Sequence, residues 1–158
     1  MEFFTDRNLG RFDFPDHLRA RGLIVHVHHD HFPDAARDED WISDVADRDW
    51  IILSADRDIL KVPIELAAVM LSGARLLCFV GGDARTINHA RNFIHTLPKI
   101  TEFLETQRAP YVAKIYRPSP VDEGLARGLP GSISLSMNYA QWLASRKSIG
   151  FRPQDEPR

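Results

Sequence analysis

The chain has 158 residues, of which 44% are hydrophobic and 27% are charged, and its formal net charge is −2. This composition excludes a disordered chain and is typical of one soluble globular domain with a real core. The near-neutral balance excludes a uniformly basic nucleic-acid coat, although it is compatible with a locally basic cleft.

Two further classes of protein are disfavoured by the sequence. Cys78 is the only cysteine, so an internal disulfide is excluded, and its apolar surroundings (RLLCFV) predict a buried thiol. The opening residues MEFFTD lack the basic and apolar regions of a signal peptide, and no apolar run reaches about 18 residues. We therefore expect no membrane span and a cytoplasmic location.

The first predicted element is a short strand at residues 2–5 (EFFT) that stops at Asp6. Residues 8–22 predict a helix that is interrupted near Pro15 and closed by Gly22. A second strand is predicted at residues 23–27 (LIVHV).

The following stretch, HHDHFPDAAR, predicts a loop. Residues 38–49 (DEDWISDVADRD) then predict the clearest helix, with one apolar face and an acidic first turn in which Asp38 is the expected N-cap. Residues 50–54 (WIILS) predict a strand buried on both faces, because they are almost entirely apolar.

The third quarter of the chain continues the alternation. Pro63 opens a predicted helix that ends at Gly73, and residues 74–80 predict another buried strand. Residues 84–107 have a helical pattern that Pro98 is expected to kink or split. A last strand is predicted at residues 111–117. Strands separated by single helices predict an α/β fold with a mostly parallel central sheet of about five strands flanked by helices.

The tail from Pro118 differs in its proline and glycine content. Residues 134–147 predict one short helix, and the last few residues are expected to be disordered. We therefore divide the chain into a domain at residues 1–117 and a C-terminal extension at residues 118–158.

Acidic residues follow the predicted strands at one edge of the sheet. Asp6 ends the first strand, Asp56 and Asp58 follow the third, and Asp83 follows the fourth. The helix that begins at Asp38 has its N-terminus at the same edge, where sites form in open α/β sheets. Gathered carboxylates are the ligands that Mg²⁺ or Mn²⁺ prefers, but acids at strand ends are also ordinary loop residues.

The segments FFTDRNLG, HHDHFPDAARDEDWI and DRDWIILSADRDI resemble the PIN-like ribonucleases, in particular the compact branch that contains VapC-type toxins. The resemblance covers about residues 2–117 and implies a three-layer PIN-like fold. It also implies a Mg²⁺- or Mn²⁺-dependent endoribonuclease, the toxin of a type II toxin–antitoxin module, with Asp6, Asp38 and Asp56 as the catalytic metal ligands. The family's additional acid, often a Glu on a helical insertion, has no room here, so either Glu39 substitutes for it or the site uses fewer carboxylates. Glu39 and Asp58 are the supporting acids that the resemblance implies.

The same resemblance implies several partners. Arg7, Arg57 and Lys61 lie beside the acids and are expected to contact RNA phosphates, together with His29 and His31. A cognate antitoxin protein is expected to bind the toxin, and the family also allows a homodimer.

Other classes fit parts of the pattern. A catalytically degenerate PIN-like binding module would keep the fold without the activity. A phospho-accepting receiver domain also binds Mg²⁺, but it needs an acidic pair after the first strand, where this chain has Asp6-Arg7. A dehalogenase-type phosphatase needs Asp-x-Asp there, which Asn8 interrupts.

Four of the seven histidines lie within HVHHDH, residues 26–31. The spacing of His26 and His28 on a strand could chelate zinc. We favour instead a hydrogen-bonded core histidine at His26 or His28, beside a loop on the rim of the acidic edge.

Overall fold

A computed structural model describes residues 1–56, 58–81 and 85–148 of the chain. Three predictions therefore lie outside the described residues: the RNA contact of Arg57, the contribution of Asp83, and the disorder of the last residues. None of the helices in the described parts combines the length and the apolar character that a membrane crossing requires.

The described residues form an α/β fold with one six-stranded sheet. The strands are β1 Glu2–Thr5, β2 Ile24–Val27, β3 Ile51–Ser54, β4 Arg75–Phe79, β5 Tyr111–Tyr116 and β6 Ser132–Asn138. The helices are α1 Asp13–Arg19, α2 His28–His31, α3 Asp38–Asp47, α4 Pro63–Ser72, α5 Thr86–Thr106, α6 Val121–Ala126 and α7 Tyr139–Ser148. The strand order is β2-β1-β3-β4-β5-β6, and only the β5–β6 pair is antiparallel. The predicted α/β class with a mostly parallel sheet is confirmed.

Helices cover both faces of the sheet, because neighbouring residues of a strand point to opposite sides. Phe3 packs in one core with residues of α1 and α5. Phe4 packs in the other core with residues of α3, α4 and α7. The strands between these cores are apolar on both faces, as the run IILS indicated for β3.

The structure corrects four predicted elements. The predicted helix at residues 8–22 consists of a single 3-10 turn at Arg7–Leu9 and of α1, which runs through Pro15 without interruption. Residues 28–31 form the one-turn helix α2 rather than loop. Pro98 does not split α5, because Phe93 and Ile100 on either side of it are both buried against the same face of the sheet. Residues 134–147 are not one helix: the first part is β6, and α7 begins at Tyr139.

The sixth strand explains the error in the tail. Ile133, Leu135 and Met137 alternate with serines, which is the period of a strand, and the free edge of β5 supplies the pairing partner. The sheet therefore has one strand more than expected.

Candidate active site

Asp6 lies directly after β1, where its N–H donates to the carbonyl of Leu53 at the end of β3. Its carboxylate accepts hydrogen bonds from the backbone N–H of Arg7 at 2.6 Å and from the Ser54 hydroxyl at 3.0 Å. Burial raises the pKa of Asp6, and the negative charge of Asp38 adds to this, while the two hydrogen bonds oppose it. Asp6 is therefore a largely buried acid in an environment that disfavours its charge.

The turn after β3 is organised by Ser54 and Asp56. The Ser54 hydroxyl accepts from the N–H of Asp56 at 3.0 Å, and Asp56 Oδ1 accepts from the N–H of Asp58 at 2.9 Å. Asn8 joins this turn to Asp6, because its amide oxygen accepts from the N–H of Ala55 while its Nδ2 lies 3.4 Å from Asp6 Oδ2. The strand ends that carry Asp6 and Asp56 are thus held together by short polar side chains.

Asp38 and Glu65 form a carboxyl pair across two helices. Asp38 is the first residue of α3 and Glu65 is the third residue of α4, and the helix starts place both acids at the carboxyl edge of the sheet. Burial, the hydrogen bond with Asp38 and the charges of Asp38, Asp56 and Asp6 raise the pKa of Glu65 to about 7. Glu65 is therefore protonated in a large share of the molecules near neutral pH, and that proton is donated to Asp38.

Asp38 is the more acidic member of this pair. Burial raises the pKa of Asp38, but the hydrogen bonds from Glu65 and Trp41 and the charge of Arg7 outweigh burial, so the pKa lies below its ordinary value. The Trp41 indole N–H donates to Asp38 Oδ1 at 2.8 Å. Asp38 is not the N-cap that the sequence predicted: Arg37 caps α3 without a side-chain bond, because the Asp38 carboxylate faces Arg7 and Trp41 instead.

Arg7 is bound to the protein on several sides. Its guanidinium donates to the Asp38 carboxylate and to the carbonyls of Asp34, at 2.5 Å, and Ala36, at 3.4 Å. Arg7 Nε also lies 3.9 Å from Asp6 Oδ1. Arg7 therefore neutralises the acids and anchors the segment that leads into α3.

Other predicted site residues lie apart from this cluster. The Glu39 side chain makes no hydrogen bond or ion pair with any described residue, so its supporting role remains a prediction. Asp58 and Lys61 form an ion pair with each other at 3.2 Å, and both are exposed. Asp56 also lines a small hollow of about 110 Å³ together with Lys114, which the sequence analysis did not connect with the site.

The four clustered histidines have different environments. His26 stacks on Trp50 at 3.6 Å between ring centroids and contacts Glu2 at 3.2 Å. His28 is buried among aromatic rings, and neither of its nitrogens has a hydrogen-bond partner among the described residues. Of the two histidines we considered for a hydrogen-bonded packing role, the partly buried His26 is therefore the one that has such a contact. His31 and His29 are both exposed: His31 contacts Trp50, and His29 lies 3.9 Å from Asp34. The cluster is thus largely part of an aromatic layer.

The chemistry of the acids fits a hard divalent cation. Asp6, Asp38, Asp56 and Glu65 supply only oxygen ligands, and Glu65 Oε2 is buried without a hydrogen-bond partner in the described part of the chain. Within that part, however, no group of three or more His, Cys, Asp or Glu side chains is arranged to hold a metal ion. The charge of Asp38 is stabilised instead by Arg7 and by the hydrogen bond with Glu65.

Glu65 is the main site residue that the sequence analysis missed. The sequence pattern that indicated Asp38 also applies to Glu65, because each is an acid in the first turn of a helix whose N-terminus lies at the carboxyl edge of the sheet. The additional acid was predicted only before β3, where the chain is too short for an insertion, whereas Glu65 follows β3.

Comparison with known proteins gives one match. A family model described as a PIN-like domain matches residues 1–81, which is just over half of the chain and contains all four acids. Neither a curated protein nor a solved structure matches the chain.

Proposed function

The chain belongs to the PIN-like domain family, and on that premise we propose that it is a metal-dependent endoribonuclease that hydrolyses RNA phosphodiesters. The observation that carries the proposal is the convergence of Asp6, Asp38, Asp56 and Glu65, whose charges act on one another at the carboxyl edge of the sheet. Like charges that share a site raise the pKa of at least one member, and acids perturbed in this way cluster at functional sites.

Asp6, Asp38 and Asp56 would hold Mg²⁺ or Mn²⁺. When bound, such an ion supplies positive charge against the phosphodiester and acidifies the attacking water. Ser54 and Asn8 keep the Asp6 and Asp56 turns in position through the hydrogen bonds described above.

Glu65 is the residue best suited to move a proton. A group with a pKa of about 7 can take up and release a proton at neutral pH, which is the requirement for a general base. Its Oε2 makes no hydrogen bond with a described residue, so this oxygen can accept the proton of the attacking water.

Cationic side chains beside the acids would position the substrate. Lys61 and His29 are exposed near the acidic edge, and Lys114 lines the hollow next to Asp56. With His31, Arg7 and Arg57 they are our candidates for phosphate contacts, although Arg7 would first have to leave Asp38.

The proposal is tested by cleavage of a structured RNA with purified protein and Mn²⁺. Asp6→Asn and Asp56→Asn should each lower the rate on the order of 100-fold or more, because each removes a negative ligand. Asp47→Asn makes the same charge change on an exposed residue of α3 and should leave the rate unchanged. Cleavage that survives both site substitutions would overturn the site assignment, and RNA binding without cleavage would favour a degenerate binding module.

We propose further that the enzyme acts in the cytoplasm as the toxin of a toxin–antitoxin module. The support is the family resemblance of the sequence. A short open reading frame beside the gene should encode a protein that co-purifies with the chain and suppresses cleavage. If that protein offers a basic residue to the carboxylates, it has to compete with Arg7 for Asp38. Failure of such a neighbour to bind or inhibit would contradict the toxin assignment while leaving the nuclease assignment intact.

A further inference from the structure

A second charged region lies on the other side of the molecule from Asp38 and Glu65. A cleft of about 710 Å³ opens between α1, α5 and α6. Its polar lining consists of three arginines and two histidines: Arg21, Arg91, Arg127, His17 and His95. The remaining lining residues are small or apolar, and no described acidic residue lines the cleft.

Two of these arginines have side chains without a partner among the described residues. Arg21 and Arg91 are exposed, and neither guanidinium group makes a hydrogen bond or ion pair with any residue that the structure describes. By contrast, Arg19 donates to the carbonyl of Val25, and Arg75 pairs with Asp49. Arg127 contacts Glu123 at 3.3 Å, but this is an exposed contact within one helical turn and is worth little.

The cleft is separate from the acidic cluster. α1 and α5 pack on the face of the sheet that contains Phe3, whereas α3 and α4, which begin with Asp38 and near Glu65, pack on the face that contains Phe4. No lining residue of the cleft belongs to the acidic cluster. A ligand bound in the cleft would therefore be held apart from the acidic cluster.

We infer that this cleft binds the phosphate backbone of single-stranded RNA, away from the carboxylates. The inference rests on the proposed function, since it names where the substrate is held. The cations come from three separate segments rather than converging on one point, which suits successive phosphates better than a single small anion. Because the whole chain is slightly acidic, such a local cluster would determine where a polyanion binds.

The test is fluorescence anisotropy of a labelled single-stranded RNA with the full chain in a buffer that contains a chelator. Arg21→Gln/Arg91→Gln should weaken binding on the order of 10-fold at about 0.1 M salt. It should also reduce the slope of log K against log salt by about 1.4, which corresponds to two lost phosphate contacts. Arg108→Gln/Lys147→Gln removes the same charge from exposed positions outside the cleft and should bind like the wild type.

The outcomes separate this inference from the proposed function. Weakened binding by the cleft variant in a protein that cuts no RNA would support the cleft and contradict the nuclease. Unchanged binding by the cleft variant in a protein that cuts RNA would overturn the cleft and leave the nuclease standing. Equal weakening in the control variant would also overturn the inference, because net charge alone would then explain the loss. Binding of inorganic pyrophosphate through Arg21 and Arg91 without RNA binding would assign the cleft to a small anion and overturn it as well.

Discussion

At the scale of single residues, the acids at the carboxyl edge differ because their neighbours differ. Asp38 faces Arg7 and Trp41 and has a lowered pKa, whereas Asp6 and Glu65 have raised pKa values. A difference in pKa between two neighbouring carboxyl groups gives them different roles, since one stays charged while the other can carry a proton. The structure therefore distinguishes residues that the sequence shows only as Asp or Glu.

The raised pKa of Glu65 makes a prediction about stability. Between pH 4.5, the ordinary pKa, and about pH 7, Glu65 is mainly protonated in the folded protein and mainly charged in the unfolded chain. The raised pKa therefore stabilises the folded protein fully below pH 4.5, and this stabilisation is lost as the pH rises to about 7. Glu65→Gln should remove that dependence. Between pH 5 and 7.5 the free energy of unfolding of the wild type should fall by about 1 kcal/mol more than that of the variant, after allowance for solvent screening.

Urea unfolding across this pH range measures the difference. Glu102→Gln is the matched control, because Glu102 is an exposed acid on α5, and it should follow the wild type at every pH. Parallel profiles for wild type and Glu65→Gln would show that Glu65 titrates normally.

Arg7 supports a second prediction at this scale. Arg7→Gln removes the donors to the Asp38 carboxylate and to the carbonyls of Asp34 and Ala36. We expect the free energy of unfolding to fall by about 1–2 kcal/mol, because a half-buried charge-assisted contact is lost. Arg11→Gln, which loses only an exposed 3.6 Å pair with Asp34, should cost less than about 0.5 kcal/mol. Similar costs for the two substitutions in urea unfolding would contradict the anchoring role of Arg7.

The limits of sequence reasoning are visible in the same residues. The strand ends placed Asp6 and Asp56 at one edge, because parallel strands finish there together. The sequence could not show that Arg7 turns toward Asp38, or that Asp38 and Glu65 share a proton, because these contacts join residues 31 and 27 positions apart. They depend on how α3 and α4 pack together on one face.

At the scale of elements, helices and strands whose ends depend on local residues were predicted correctly, whereas a strand that depends on a distant pairing partner was not. Pro63 opens α4 and Gly73 ends it in the left-handed conformation, as the sequence indicated, because proline and glycine act through their own backbone. The strand β6 was wrongly predicted as helix, because its structure depends on pairing with β5 rather than on local preference. The domain boundary at residue 117 remains a prediction. β6, which lies in the C-terminal extension, pairs with β5, which lies before that boundary.

The start of β6 is fixed by α5, which yields a prediction for that element. The buried Thr96 hydroxyl accepts from the N–H of Gly131 at 2.9 Å and donates to Asn92 at 3.1 Å. Thr96→Val keeps the shape but leaves both partners unpaired in the interior. The free energy of unfolding should fall by about 2–3 kcal/mol.

The control lies on the same helix. Thr101→Val changes a threonine whose hydroxyl makes no hydrogen bond with a described residue, and it should cost no more than about 0.5 kcal/mol. Chemical denaturation of both variants gives the comparison. A cost for Thr96→Val as small as that of the control would show that α5 does not fix the start of β6.

At the scale of the whole molecule, opposite charges lie on different layers of the fold. The carboxylates lie at the edge beside α3 and α4, and the unpaired arginines lie between α1, α5 and α6. The net charge of −2 does not indicate that acidic and basic side chains lie in different places, because this arrangement depends on the fold.

The acidic side of this separation predicts that Mn²⁺ stabilises the folded protein. An ion that binds only the native state raises the free energy of unfolding by about 2.7 kcal/mol when its concentration is 100 times the dissociation constant. Thermal unfolding with and without Mn²⁺ should therefore show a higher midpoint for the wild type and for Asp47→Asn. Asp6→Asn/Asp56→Asn should lose the shift, because two of the proposed ligands become neutral amides. A shift that persists in this double variant would place the ion elsewhere on the molecule, whether or not the protein cuts RNA, because the readout is independent of catalysis.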